Sequence, residues 1–298
     1  MTDTAASLRR KISSAGDLRS VVRTMKAMAA SSIGQYEKSV LALGDYYRTV
    51  ELGLSACFRE MQAAAGPAAI HKSQPGGRIA AVVFGSDQGL VGQFNQTIAE
   101  YVDTALAGLN RKSETWAIGE RVQAFLTDSG LPVMGLFPVP TSVEAITPLV
   151  ARIQIEIEAQ QAKGAYVEVY VFHNRPKSGS LYEPVGQRLL PLDGAWQGGL
   201  LQVPWPTSTV PEVLSAGGGK GTILTALIRE YLFISLFRAC AESLASENAS
   251  RLAAMERADK NIDDLLTNLK SSSHRIRQTQ IDEELFDVVS GSEALAGR

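Results

Sequence analysis

Residues 223–288 contain neither proline nor glycine, and no proline occurs before Pro67. Proline and glycine are the residues that most often end a helix. Two such stretches, one at each end of one chain, point to two very long helices. The spacing of apolar residues agrees. Tyr36, Val40, Leu43, Tyr47, Val50, Leu54, Cys57 and Met61 recur at alternating steps of four and three, the period of a coiled-coil seam. Leu8, Ile12, Ala15, Leu18, Val22, Met25 and Ala29 continue a similar stripe, with a slip near Leu18. A helix from Leu8 to Met61 is about 80 Å long. Four glycines (Gly16, Gly34, Gly44, Gly53) weaken it by roughly 1 kcal/mol each. The C-terminal stretch answers with Leu227, Tyr231, Ile234, Phe237, Ala241, Leu244, Asn248, Arg251, Met255, Ala258, Ile262, Leu265 and Leu269. Polar-rich helices of this length fray alone. An antiparallel pair, with the middle of the chain inserted at one end, is therefore expected.

The middle reads differently. Breakers from Gly66-Pro67 to Pro75-Gly76-Gly77 mark a boundary. Strands are expected at Arg78–Phe84, Thr115–Ile118, Leu131–Phe137 and Ala165–Phe172, with helices at Gly92–Leu109, Glu120–Ser129 and Thr147–Ala162. Alternation of this kind gives a largely parallel sheet covered on both faces. Leu181–Leu192 carries Pro184 and Pro191, so it is expected as an antiparallel edge strand. Gly198–Gly221, with three prolines and six glycines, reads as a linker. The fold class is thus an α/β inserted domain plus a long antiparallel α-helical coiled coil formed by the two chain ends. The expected domains are a shaft (residues 1–65 and 222–298), a Rossmann-like α/β domain (76–200) and a linker (201–221).

Composition narrows the function. The chain has 298 residues, 45% hydrophobic and 20% charged, which excludes a disordered polymer. Its charge-free apolar runs, such as Ile79–Phe84 and Tyr231–Phe237, are far shorter than the roughly 20 residues of a membrane span. A net charge of −2 argues against a nucleic-acid binder. Charge is uneven: residues 1–60 carry a net of +3, 61–219 a net of −3 and 220–298 a net of −2. Two cysteines make neither a disulfide framework nor a zinc site. No basic-then-apolar leader opens the chain.

Candidate chemistry is thin. The loop Gly85-Ser86-Asp87-Gln88-Gly89-Leu90-Val91-Gly92 lies where a nucleotide-binding fold places its phosphate loop, but the G-x-G-x-x-G spacing is absent and Asp87 would repel a phosphate. A structural turn is the better reading. Ala216–Thr222 resembles a P-loop only superficially, because Leu214 and Gly221 stand where Gly and Ser or Thr are needed. His71, His173 and His274 lack ligand spacing. Cys57 and Cys240 read as packed residues. The acidic run Asp282-Glu283-Glu284 is either a solvated helix end or a partner for basic residues, the chain's own N-terminal ones included.

Several spaced stretches resemble one family, the gamma subunit of F-type ATP synthases. Leu8-Arg9-Arg10-Lys11-Ile12 resembles its opening I-R-x-[KR]-I, and Val22 through Ser31 its T-[KR]-A-M-x-M-V-A-A-[AS]. Ser86 through Asn95 resembles S-D-[KR]-G-L-C-G-x-[LYF]-N, and Glu242 through Met255 resembles E-S-x-A-S-E-x-x-x-R-M-x-A-M. Arg277-Gln278 with Ile281 through Leu285 resembles R-Q-x-x-I-T-x-E-[LI], and Gly291 through Leu295 the closing G-A-x-A-L. The chain departs at Ser32-Ile33-Gly34-Gln35, where basic residues are usual, at Gln88, and at Asp282, where Thr is usual. Tyr36–Leu54 is similar to the branch found in second operons, some assigned to sodium-pumping enzymes.

The resemblance implies a non-catalytic rotor shaft without a cofactor, turning inside a ring of alpha and beta subunits. Its sheet domain would hold the epsilon subunit and the c-subunit ring, on the cytoplasmic side of a bacterial inner membrane. It implies ring-contact and coupling roles for Arg9, Arg23, Met25, Lys26, Arg251, Gln278, Asp282 and Glu284. Phe286, Val288, Val289 and Leu295 would form an apolar bearing tip. Two other classes stand beside it: a stand-alone coiled-coil adaptor or chaperone with a degenerate nucleotide-binding-like domain, and a small-molecule enzyme using the Gly85–Gly92 loop.

Overall fold

The computed structural model describes residues 4–65, 77–162, 166–178, 180–192, 194–208 and 220–296. The expected boundary at residues 66–76 and the Ala216–Gly219 part of the P-loop-like run lie outside them, as does His71. Two end helices are present: α1 (Ala5–Ala65) and α6 (Lys220–Ala296). Between them come β1 (Arg78–Phe84), α2 (Phe94–Leu109), β2 (Ser113–Ile118), α3 (Glu120–Asp128), β3 (Val133–Phe137), α4 (Ile146–Ala162), β4 (Tyr166–Lys177), β5 (Ser180–Leu190) and α5 (Gly194–Gln202).

The chain forms two compact units, Met1–Ala30 with Arg251–Arg298, and Ser31–Ser250. In the larger unit the sheet order is β3-β2-β1-β4-β5. The first four strands run parallel, and β5 lies antiparallel on the edge beside β4. From Ile79 to Phe84 both faces of β1 are buried, which explains the unbroken apolar run that follows Arg78. Ile79, Ala81 and Val83 pack with Ile98, Val102 and Leu106 of α2 and with Val122 and Leu126 of α3. Ala80, Val82 and Phe84 face α4 (Leu149, Val150, Ile153) and α6 (Leu236, Phe237, Leu244). The sheet therefore wraps directly onto the C-terminal helix. From Tyr231 to Glu247 only Phe233 and Arg238 are not buried. This is the condition of a helix enclosed on all sides.

The N-terminal helix keeps a strict seven-residue repeat with no slip: Leu8, Ala15, Val22, Ala29, Tyr36, Val50 and Cys57 are buried and Leu43 half-buried. Leu18 is 53% exposed. The second seam position is Ile12, then Arg19 and Lys26, then Ile33, Val40, Tyr47 and Leu54. Two basic residues thus hold positions where an apolar pattern was sought, which is why the stripe seemed to shift at Leu18. Met61 closes the expected seam but is 43% exposed. On α6, Leu266 is buried and Leu265 is 48% exposed, one residue off the expected stripe.

Of the four α1 glycines, Gly53 alone is crowded. A Cβ there would meet Leu227 at 3.1 Å, whereas Gly16, Gly34 and Gly44 face open space. Gly53 lets α6 approach closely. The residues read as the start of a linker instead form α5. Its three glycines are overridden by tertiary contacts: the Ser55 hydroxyl donates to the Leu200 carbonyl, and Arg59 donates to the carbonyls of Leu201 and Val203. Trp196 packs on Tyr231 at 4.7 Å between ring centres.

Candidate coupling surface

In the smaller unit, Ala15 and Val22 of α1 pack with Met255, Ile262 and Leu266 of α6. A ladder of ion pairs flanks this core. Arg19 reaches Asp263 at 2.5 Å and Asp259 at 3.5 Å, Arg23 reaches Asp259 at 3.4 Å, and Lys26 reaches Glu256 at 3.4 Å. As the α1 partner advances, the α6 partner recedes, so the helices run antiparallel.

The expected contact residues fall into two groups. Arg23 is exposed, and Met25 and Lys26 are half-buried beside the seam. Arg251 is half-buried on α6, while Arg9, Gln278, Asp282 and Glu284 are exposed. Phe286, Val288 and Val289 are 73%, 71% and 48% exposed. Leu295 lies on α6 near its end. The basic residues of α1 whose acids are resolved pair with residues 256–263, not with the acidic run at 282–284. Other exposed apolar residues were missed: Leu18, Val21 and Met28 on α1, and Ile281 and Leu285 on α6. Their spacing was visible. Leu18, Val21, Met25 and Met28 step by three, four and three, which makes a second stripe beside the buried one. Apolar residues left outward along a helix mark an interaction surface.

The Gly85–Gly92 loop is a structural lock. The Asp87 carboxylate accepts the Glu120 N–H at 2.9 Å and the Val139 N–H at 2.8 Å, tying together the loops that follow β1, β2 and β3. Asn95 accepts the Ser86 N–H at 2.9 Å and donates to the Ser86 hydroxyl at 2.8 Å. A Cβ on Gly85 would sit 2.3 Å from Val122, and one on Gly119 would sit 2.7 Å from the Ser86 backbone. The strand ends that a phosphate would need are filled by the protein itself.

A model of the ATP synthase family matches residues 4–295. The chain belongs to the ATP synthase family, as a subunit of the gamma type. It is 28% identical to the ATP synthase gamma chain of Sorangium cellulosum, with 97% of this chain and 98% of that one covered. It is 26% identical to the ATP synthase gamma chain of Syntrophus aciditrophicus, with 97% of each covered. Among solved structures, the chain is similar in fold to one chain of the central stalk/c-ring structure of the Tetrahymena thermophila mitochondrial ATP synthase. That match has a TM-score of 0.57 and 24% identity, over 80% of this chain and 99% of the other. The rotor of the Euglena gracilis enzyme matches with a TM-score of 0.62 and 14% identity, over 93% and 98%. As in the rest of the ATP synthase family, this chain is one subunit of a larger complex. No described helix is long and apolar enough to cross a membrane. No group of three His, Cys, Asp or Glu that could hold a metal occurs among the described residues.

Proposed function

We propose that the chain is the central rotor stalk of an F-type ATP synthase and has no catalytic site of its own. Ion flow, of protons or sodium, turns it and so drives ATP synthesis on the surrounding subunits; hydrolysis turns it in reverse. Residues 1–65 and 222–298 serve as the shaft, 76–200 as the domain that holds the epsilon subunit and the c-subunit ring, and 201–221 as a connector. The complex sits on the cytoplasmic side of a bacterial inner membrane.

The observation that carries this reading is the outward apolar and charged surface of the paired helices, set on a gamma-type chain that covers 98% of a curated relative. A shaft does work by touching each catalytic subunit differently. Driving a site from 1:99 to 99:1 needs about 5.5 kcal/mol of differential contact. Arg23 and Lys26 hold their α6 acids at 3.4 Å in exposed pairs, each worth about 0–1 kcal/mol. They can exchange those acids for acidic loops of the alpha and beta ring at little cost. Met25, Arg9, Arg251, Gln278, Asp282 and Glu284 complete that contact, and Phe286, Val288, Val289 and Leu295 form an apolar tip with few hydrogen bonds to break during rotation.

The test is reconstitution. The chain should co-purify with alpha, beta, epsilon and c subunits and restore rotation-coupled hydrolysis. A monomer with its own turnover, indifferent to those subunits, refutes the proposal. Met25→Lys or Arg251→Cys should impair ion pumping more than assembly. Equal loss of both through failed assembly counts against the coupling role.

A further inference from the structure

The buried core of the larger unit holds a charged cluster outside the surface just described. Glu242 lies on α6 with 7% of its surface exposed, and His173 lies on β4 with 6% exposed. His173 Nε2 is 2.8 Å from Glu242 Oε2, and Arg238 Nε donates to Oε1 at 2.7 Å. Burial alone would push the Glu242 carboxyl up. The hydrogen bonds from His173 and Arg238 outweigh burial and hold it below its ordinary value. An ionised carboxylate only accepts, so the proton in the His173 bond sits on Nε2. Arg175, further along β4, also feels the Glu242 charge. Two elements that meet through an otherwise apolar core therefore meet at one point through a directional, charge-assisted bond.

We propose that this His173–Glu242–Arg238 cluster is where the sheet domain grips the shaft helix against rotation about its own axis, with Glu242 a positioning residue for torque transfer. The proposal rests on the rotor-stalk reading. The rest of this contact is Val82, Val171, Leu236, Phe237 and similar side chains, whose attraction is non-directional and resists sliding weakly. A head group about 5 Å from a helix axis travels ~2.6 Å when the helix turns by about 30°. From 2.8 Å, that movement breaks the bond. Of the other polar links between the sheet domain and α6, the bond from Gln187 to the Tyr231 hydroxyl is neutral and long at 3.2 Å, and the Arg229–Glu158 pair and the bond from Gln154 to the Arg229 carbonyl are exposed. Water competes for those. The His173–Glu242 link is buried.

The experiment uses the whole complex, assembled with this chain and its alpha, beta, epsilon and c subunits. The ring is fixed to glass and the rotor is stalled with a non-hydrolysable nucleotide. A bead is attached through Asp128→Cys on the exposed end of α3; both native cysteines are buried and do not compete. The angular spread of the bead reports the stiffness of the grip. His173→Phe with Glu242→Met replaces the polar pair by apolar volume, a change often neutral or stabilising for a buried pair. Its thermal midpoint should stay near wild type while the spread broadens and fewer ions are pumped per ATP hydrolysed. Glu242→Gln keeps an acceptor for His173 and should recover most of the stiffness. A double variant as stiff as wild type refutes the grip. So does a Glu242→Gln variant as loose as the double variant, since the hydrogen bond would then not be what holds. If the wild-type complex fails to rotate at all, the rotor reading itself fails, independently of the variants.

Discussion

Replacing Asp87 by alanine removes one side chain and loosens three loops at once. Its carboxylate accepts two backbone donors, the Glu120 N–H at 2.9 Å and the Val139 N–H at 2.8 Å. The two are unequal. Val139 is half-buried, so its donor is left poorly solvated, and a charge-assisted bond of that kind is worth about 1.5–3 kcal/mol. Glu120 is exposed, so water replaces most of its bond, leaving about 0.5–1 kcal/mol. Glu120 also begins α3, whose preceding residue Gly119 has no capping side chain. Asp87 supplies the negative charge that a helix N-terminus favours, about 0.3–1 kcal/mol more. Together these predict a loss of about 2–5 kcal/mol for Asp87→Ala. Asp87→Asn, which keeps one oxygen acceptor and loses the charge, should lose about half as much. Native-state hydrogen exchange is the assay, because it reads the Glu120 and Val139 amides individually. Urea unfolding gives the total. Unchanged exchange at both amides in Asp87→Ala, with a stability change within about 0.5 kcal/mol, would refute the assigned lock.

Gly85→Ala would place a Cβ 2.3 Å from Val122 and 2.8 Å from Asn95 Oδ1, so soluble folded yield should collapse; a folded variant with native circular dichroism contradicts the packing. Gly44→Ala faces open space on a helix and should raise stability by up to ~1 kcal/mol, read as a higher thermal midpoint. Arg19→Ala leaves Asp263 without its α1 partner and Asp259 with Arg23 alone and should cost about 1–3 kcal/mol; a double-mutant cycle with Asp263→Ala should show coupling, and additive losses would refute the pair. Because Glu242 titrates below its ordinary value of 4.5 in the folded chain, the stability it adds is complete above that value and is lost as pH falls through the lowered one. Glu242→Gln should therefore flatten the acid limb of the stability curve as pH falls below the ordinary value of 4.5, and an unchanged limb rules this out.

Local pattern carried the elements. A seven-residue repeat with no proline can close only as a long helix, and an apolar run such as Arg78–Phe84 between glycine turns only as a doubly buried strand. The antiparallel pairing of the ends followed from the same fact, since helices so long and polar need a partner. Side-chain roles were less visible. Arg19 and Lys26 looked like a break in the seam, because a local pattern registers their charge but not the acids some 230 residues away that accept it. Leu265 and Leu266 differ by one step on a helix, and only the neighbour they face decides which is buried. Helix α5 has a linker's composition, and Ser55 and Arg59 hold it from another part of the chain.

The sequence by itself determined two long end helices, an inserted sheet with an antiparallel edge strand, and membership in a rotary family through spaced motifs. Tertiary structure alone decided what the polar residues do. It made Asp87 a lock across three loops and enclosed the Tyr231–Glu247 stretch of α6. It also brought His173 to Glu242, 69 residues further along the chain. The physical reason is the range of the forces involved. Backbone hydrogen bonding and apolar periodicity act within a few residues and are written into local order. A buried charge takes its meaning from the group that meets it, and folding alone brings that group into place.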